Sequence, residues 1–269
     1  MKQYVELAER ILFEGIGSSD RTGTGTISVF GHQMRFKMSD GFPLLALKKV
    51  HFKSVVHELI WMLSGSTNIK YLNDNGVTIW DEWADEHGDL GPIYGSQWRR
   101  AGFDHSSIDQ IQNAVDLLKS DPSSRRIIVD CWQVGDIDLM ALPPCHMMFQ
   151  LYSRNSDLSM QMYLRSSDFF LGLPFNIAQY ALLLKMFASV TGMVANELII
   201  TIGDAHIYKN HIEQVKIIIE RYMRDTLSEK ERTCWVNLAQ KNGIFDYTYK
   251  DITLVGYNPW PAIKGEVSI

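Results

Sequence analysis

PPCHMMFQLY (143–152) joins a thiol to an apolar run, and the architecture can be read outward from it. Pro143 and Pro144 stiffen the backbone just ahead of Cys145, because proline holds φ at about −65°. After His146, the run 147–152 reads as a buried strand. Strand-like runs recur at 127–132, 158–164 and 197–202, and 26–38 alternates with a break at Gly31-His32 that suits a turn or bulge. Helical spacing places Tyr4, Leu7, Ile11 and Leu12 on one face, with Gly15 positioned to end that helix. Val55, Val56, Leu59, Ile60 and Leu63 mark a second helix over 51–64. Ile108, Ile111, Val115 and Leu118 mark a third, which Asp121-Pro122 terminates. A long apolar helix is expected over 176–191 and another over 207–223, with 225–233 an exposed charged connection. No repeat or linker divides the sequence. The expectation is one α+β domain over 1–269, a twisted and mostly buried β-sheet flanked by helices.

The totals narrow the function. With 46% hydrophobic and 21% charged residues, 269 residues can bury a sizeable core. A net charge of −5 argues against a general nucleic-acid or membrane-surface binder, whose footprint would be basic. Cys131, Cys145 and Cys234 form neither a metal-ligand spacing nor an even disulfide framework, which fits a reducing, cytoplasmic setting. The stretch 1–15 is an amphipathic helix with Glu6 and Glu9 rather than a signal peptide, and no apolar run approaches 18 residues, so no membrane span is expected.

A lone cysteine is more often a buried structural group than a nucleophile. Here Arg165-Ser166 and the proline-stiffened segment LGLPFN (171–176) accompany Cys145, and a nearby guanidinium favours the thiolate, the form that attacks carbon. Arg21, Arg125-Arg126 and Arg165 supply fork-shaped donors that, with Ser166, suit one phosphate monoester. Paired arginines after a helix are ordinarily a solvated end; these directly precede an apolar strand. The segment 80–98 holds Trp80, Trp83, Tyr94 and Trp98 among five carboxylates, His87 and three glycines. It reads as an ordered loop offering flat rings to a flat ligand, the bland alternative being core. Glu58, on the apolar helix beside His57, is either a paired structural group or a carboxyl suited to proton transfer. Asp204, His206 and Tyr208 end a strand, where they could meet sugar hydroxyls or cap the next helix.

Six motifs in order then resemble the thymidylate synthase family: DRTGTGT (20–26), WDEWADEHGDLGPIYGSQWR (80–99), SRR (124–126), PPCH (143–146), RSSDFFLGLPFNIAQYALL (165–183) and GDAHIYKNH (203–211). The resemblance implies that Cys145 attacks C6 of the uracil ring of dUMP, making C5 nucleophilic toward the methylene of 5,10-methylenetetrahydrofolate. It implies that Arg165 stabilises the thiolate and contacts phosphate with Arg21, Ser166 and, from a partner subunit, Arg125 and Arg126. Asn176 would read the O4/N3 edge of uracil, Glu58 would relay protons, and Tyr94 and His146 would support proton movement at C5. His206 and Tyr208 would hold the ribose, and Asp168 the pterin. Ile79, Trp80, Trp83 and Leu142 would pack on the folate, Lys48 would meet its glutamate tail, and Ile269 would close over the site. The same resemblance implies a homodimer with shared sites, no metal, and no nucleic acid needed for catalysis.

The sequence also departs from the family's usual pattern, at Ala46-Leu47, at Asp130-Cys131-Trp132-Gln133, at Leu164, at Ile202 and Ala205, and at Asn258-Pro259-Trp260-Pro261. These changes keep two enzymes in view. A synthase excludes water and reduces the transferred carbon to methyl, whereas a dUMP hydroxymethylase adds water to it. A nucleotide- or RNA-binding protein without catalysis is a third reading, opposed by the full set Glu58, Tyr94, Cys145, Arg165 and Asn176.

Overall fold

The computed structural model describes residues 2–20, 22–102, 107–226 and 229–268. The chain opens with α1 (Lys2–Glu14), whose Tyr4, Leu7 and Ile11 are buried as their spacing requires, and the Gly15 N–H closes it on the Ile11 carbonyl at 3.0 Å. Strands β1 (Ile16–Ser18) and β2 (Thr26–Lys37) follow, then the helices α2 (Phe52–Ser64), α3 (Lys70–Asp74), α4 (Tyr94–Arg100) and α5 (Gln110–Ser120). The middle of the chain is β3 (Ile128–Asp130), β4 (His146–Arg154), β5 (Asp157–Asp168), α6 (Gly172–Thr191) and β6 (Val194–Tyr208). It ends with α7 (Ile212–Arg224), α8 (Glu229–Arg232), β7 (Trp235–Leu238) and β8 (Ile252–Val255).

Six strands form one mixed sheet in the order β1-β2-β6-β5-β4-β3, and β7 and β8 form a separate pair. Among the described residues only β5 and β6 pair in parallel, and α6 is the crossover between them, as a parallel pair requires. The β4–β5 hairpin turns on Asn155 and Ser156, both with positive φ, so its two-residue turn follows the twist of the strands.

One face of the sheet is dry. Phe149, Leu151, Leu158, Met160, Met162, Leu164, Leu198, Ile200 and Ile202 recur at period two, are buried, and join one continuous core with the helices. The opposite face carries Gln33, Gln150, Tyr152, Gln161 and Thr201, with Tyr152 53% exposed. The expected mostly buried sheet is therefore buried on one side only within a single chain. Helix α6 is apolar around most of its circumference, and 20 residues make it long enough to cross a membrane by length and composition; 78% of its apolar window is buried inside the protein, as in a core helix.

Several boundaries differ from the sequence reading. β6 continues to Tyr208 because Asp204 pairs with Phe30 on one side and Ser166 on the other, so Asp204, His206 and Tyr208 belong to the strand. No side-chain cap is formed at Tyr208 or His211, so these groups do not cap the following helix. β2 runs unbroken through Gly31, whose φ of +77° takes up the expected irregularity. The supposed loop 80–98 ends in α4, and Trp98 is fully buried against Phe149 and Tyr180, a core residue rather than a ligand platform.

Candidate active site

Cys145 sits just ahead of β4, half-buried and not in a disulfide. Arg165 lies on the neighbouring strand β5, because His146 pairs with Leu164, and the Arg165 N–H donates to the Cys145 carbonyl at 2.9 Å. The guanidinium is fixed by two proline carbonyls: Nε donates to Pro144 at 2.8 Å and Nη2 to Pro143 at 2.9 Å. Prolines lack an N–H but keep a full-strength acceptor. Held there, Nη2 lies 3.9 Å from Sγ of Cys145, and the guanidinium stands 5.4 Å over the Trp132 ring. A positive charge beside the sulfur favours a thiolate.

A chain of contacts leads from the backbone of Cys145 to a buried carboxyl. The Cys145 N–H donates to the Tyr94 hydroxyl at 2.9 Å, and Tyr94 stacks on His146 with centroids 4.0 Å apart. His146 Nδ1 and the Tyr180 hydroxyl share a 2.7 Å hydrogen bond. Burial lowers the His146 pKa to about 3, so the imidazole is neutral, and burial holds Tyr94 and Tyr180 well above the ordinary phenol value. Tyr94 also meets Trp80 at 5.9 Å, and the Trp80 indole N–H donates to Glu58 Oε1 at 2.8 Å. Gln179 Nε2 donates to the other carboxylate oxygen at 3.0 Å. Desolvation raises the Glu58 pKa to about 7, against the pull of these two bonds. Glu58 is thus both a paired buried group and a carboxyl that can exchange a proton near neutrality. His57, its neighbour in sequence, points elsewhere, hydrogen-bonding Tyr71 at 3.0 Å and stacking on Tyr249.

Parallel pairing of β5 and β6 sets a row of polar groups beside this cluster: Ser166 opposite Asp204 and Asp168 opposite His206. His206 Nδ1 meets Asp204 Oδ1 at 2.9 Å, and Tyr208 packs edge-on to His206. Asp168 Oδ1 accepts from the N–H of Phe170 at 2.9 Å and of Leu171 at 3.3 Å, forming the turn that starts α6. Asn176 lies half-buried near that start, where a Cβ at Gly172 would come 4.0 Å from its Oδ1. Ile79 and Leu142 are partly buried against the core. Trp83 is edge-on to Trp80, and its indole N–H is buried with no partner among the described residues. An aromatic and aliphatic wall with one unsatisfied donor fits a flat heterocycle carrying acceptors. Lys48 is turned inward: its ammonium donates to the Phe170 carbonyl and lies 3.7 Å from that ring's centroid. Burial lowers its pKa to about 8, opposed by Asp168.

Not every expected group converges on Cys145. Ile128 pairs with Gln150, so Arg125 and Arg126 lie at the far end of β4, exposed. At roughly 3.3 Å per residue they stand on the order of 20 Å from Cys145 of the same chain. Arg21 and Ile269 lie outside the described residues. A cavity of about 570 Å³ opens between the start of α1 and residues 40–47, but its lining has neither cysteine nor histidine, and the reactive groups cluster elsewhere. Sequence reasoning missed Gln179, Tyr180 and Trp132 as partners of Glu58, His146 and Arg165. Asn176, Gln179 and Tyr180 occur at i, i+3 and i+4, a polar stripe on an apolar helix that could have revealed two of them.

Among the described residues no group of three or more His, Cys, Asp or Glu side chains could hold a metal ion. A family model described as thymidylate synthase matches residues 2–269.

Proposed function

We propose that this chain, which belongs to the thymidylate synthase family over residues 2–269, converts dUMP to dTMP at the Cys145 site. Family membership supports a folate-dependent one-carbon transfer to dUMP in general terms. The observation that carries the reading is the contact chain from Cys145, whose Sγ lies beside Arg165 and whose N–H meets Tyr94, on through Trp80 to Glu58. The apolar wall of Trp80 and Leu142 favours the synthase over the hydroxymethylase, because it keeps water from the transferred carbon. The contact chain couples a nucleophile to a proton-exchanging carboxyl, which is the pair that this chemistry demands.

In this reading the Cys145 thiolate adds to C6 of uracil, and the electron pair moves to C5. 5,10-Methylenetetrahydrofolate supplies the carbon and then the hydride that reduces it, leaving as dihydrofolate. Arg165 holds the sulfur ionised before attack and, with Ser166 and Arg21, binds the phosphate. Glu58 moves protons at the uracil edge, and the neutral His146, fixed by Tyr180, keeps Tyr94 in place. The C5 proton leaves toward the Tyr94 hydroxyl, and once the transferred carbon has been reduced the C5–C6 double bond re-forms and expels the Cys145 thiolate, freeing dTMP. Asn176 presents its amide to O4 and N3–H, His206 and Tyr208 hold the ribose hydroxyl, and Asp168 binds the pterin. Ile79, Trp80, Trp83 and Leu142 cover the folate and exclude water, with Ile269 closing the site and Lys48 near the glutamate tail.

The same reading makes the enzyme a cytoplasmic homodimer built on one catalytic domain, 1–269. The open sheet face with Gln150, Tyr152 and Gln161 needs a cover, and a second copy would carry Arg125 and Arg126 to its partner's phosphate site. The test is product mass from dUMP and methylenetetrahydrofolate, with folate absorbance followed in parallel. dTMP with dihydrofolate is expected. Release of 5-hydroxymethyl-dUMP with tetrahydrofolate would overturn the synthase in favour of the hydroxymethylase.

A further inference from the structure

Glu58 and Gln179 come from different helices, α2 and α6, and meet in the core: Glu58 is 8% exposed and Gln179 1%. Each carboxylate oxygen has one donor, the Trp80 indole on Oε1 and the Gln179 amide on Oε2. The two donors are not equivalent. An indole N–H can only donate, so it can bond the carboxylate or the carbonyl oxygen of the acid but cannot accept the acid's proton. A primary amide carries both a donor and an acceptor, and the Gln179 acceptor, Oε1, is buried with no partner among the described residues. A buried amide oxygen without a partner costs free energy, so the arrangement needs a state in which that oxygen is used.

We propose that Gln179 is a positioning residue that serves both protonation states of Glu58: its amide donates to the carboxylate, and after rotation of the side chain its Oε1 accepts from the carboxylic acid. Rotation exchanges two near-equal ends of the amide and leaves the Trp80 bond intact. The other neighbour of the Gln179 nitrogen is the thioether of Met62 at 3.7 Å; rotation gives up that bond, but a thioether is a weak acceptor, so the loss is small. The titratable groups that share this environment are Tyr94 from α4 and Tyr180 from α6, with His146 and Cys145 beyond Tyr94. Both phenols and the imidazole are neutral around pH 7, and Arg165 is engaged at Cys145. Burial sets the proton affinity of Glu58 first, and its two neutral partners trim it downward by bonding the carboxylate.

The inference rests on the reading of Glu58 as a proton-transfer group, and the experiment separates the two. Gln179→Met keeps the side chain's length and removes donor and acceptor together. The carboxyl of Glu58 is titrated by difference infrared spectroscopy in the free enzyme, with Glu58→Gln as the blank, and the pH profile of kcat/KM is recorded alongside. Both bonds are lost, but the one to the charged carboxylate is the stronger, so the titration should move upward by about one pH unit, a tenfold change in proton affinity, and the acidic limb of the profile should follow. Gln179→Glu places two carboxyls together and should split the infrared titration into two steps, one strongly raised. An unchanged titration in both variants would overturn the role of Gln179, including when activity falls. Full activity in Glu58→Gln, with the infrared titration shifted as expected, would instead remove Glu58 from the proton transfer and leave its coupling to Gln179 standing.

Discussion

Replacing Glu58 by glutamine should stabilise the fold while removing turnover. Burial carries this carboxyl from its ordinary 4.5 to about 7. The folded-state pKa lies above the unfolded one, so folding favours the protonated form. The associated stability is fully present below pH 4.5 and is lost as pH rises through about 7. At about 1.4 kcal/mol per tenfold change in proton affinity, the loss amounts to about 3 kcal/mol above neutrality. Glutamine has nearly the same volume and never ionises. Its amide can accept from Trp80 through oxygen and, with the Gln179 amide rotated, donate to the Gln179 Oε1 that is otherwise unsatisfied. Urea unfolding of both proteins at one protomer concentration, between pH 4 and 9, isolates the effect, because constant packing differences cancel in the pH dependence. The stability difference should grow by about 3 kcal/mol between pH 4.5 and 8 and then level off. Parallel curves over that range would show that Glu58 ionises as easily in the folded state as in the unfolded chain, and the proton-relay assignment would lose its physical basis.

Cys145→Ser should abolish turnover yet leave dUMP binding by calorimetry nearly intact, since a hydroxyl fits the same space but does not ionise near neutrality; activity above a small percentage of the parent would remove Cys145 from the mechanism. Arg126→Ala should weaken dUMP binding by about 2–4 kcal/mol, the scale of a lost charged contact to a buried dianion. Mixed with Cys145→Ser, it should regain activity in hybrid dimers in which one site carries neither lesion, whereas a monomer by sedimentation or no rescue would refute the shared site. Asn176→Asp should shift turnover from dUMP toward dCMP, because a protonated carboxyl donates to N3 of cytosine while its other oxygen accepts from N4; equal turnover of both nucleotides by the unmodified protein would sink the assignment.

Local periodicity was legible where a whole face is apolar. Helix α1 and its stop at Gly15, α2, and the buried alternation of β5 follow from spacing alone. Failures occurred where a tertiary partner overrides a local signal. Gly172-Leu173-Pro174 looks like a turn, yet it is the first turn of α6, where a proline is tolerated because the early N–H groups have no helical acceptor. Tyr94–Arg100 looked like loop because Gly95 breaks its pattern. A Cβ at Gly95 would fall 2.5 Å from the Met62 carbonyl, so that glycine records the close approach of α4 to α2 rather than a turn. β7 and β8 are four residues each, too short for a periodic signal, and are held by pairing with one another.

At the candidate site, the residue types that can do chemistry were visible, but their supports were not. A nucleophile, a cation and a carboxyl announce themselves by type; Gln179, Tyr180 and Trp132 are ordinary residues until the fold brings them to Glu58, His146 and Arg165. His57 shows the converse. It adjoins Glu58 in sequence, but one residue along a helix rotates a side chain by about 100°, and His57 faces Tyr71 and Tyr249 instead. What does carry over from sequence is the requirement of satisfaction. Buried polar side chains must be paired, so Glu58 on one apolar helix and Gln179 on another each demand a partner, and their meeting in the core is the arrangement in which each supplies the other's need. The unsatisfied Gln179 oxygen is the part of that demand left open in the ionised state. It becomes useful only when Glu58 holds a proton, which ties the packing of α6 against α2 to the protonation of a carboxyl placed to exchange it near neutrality.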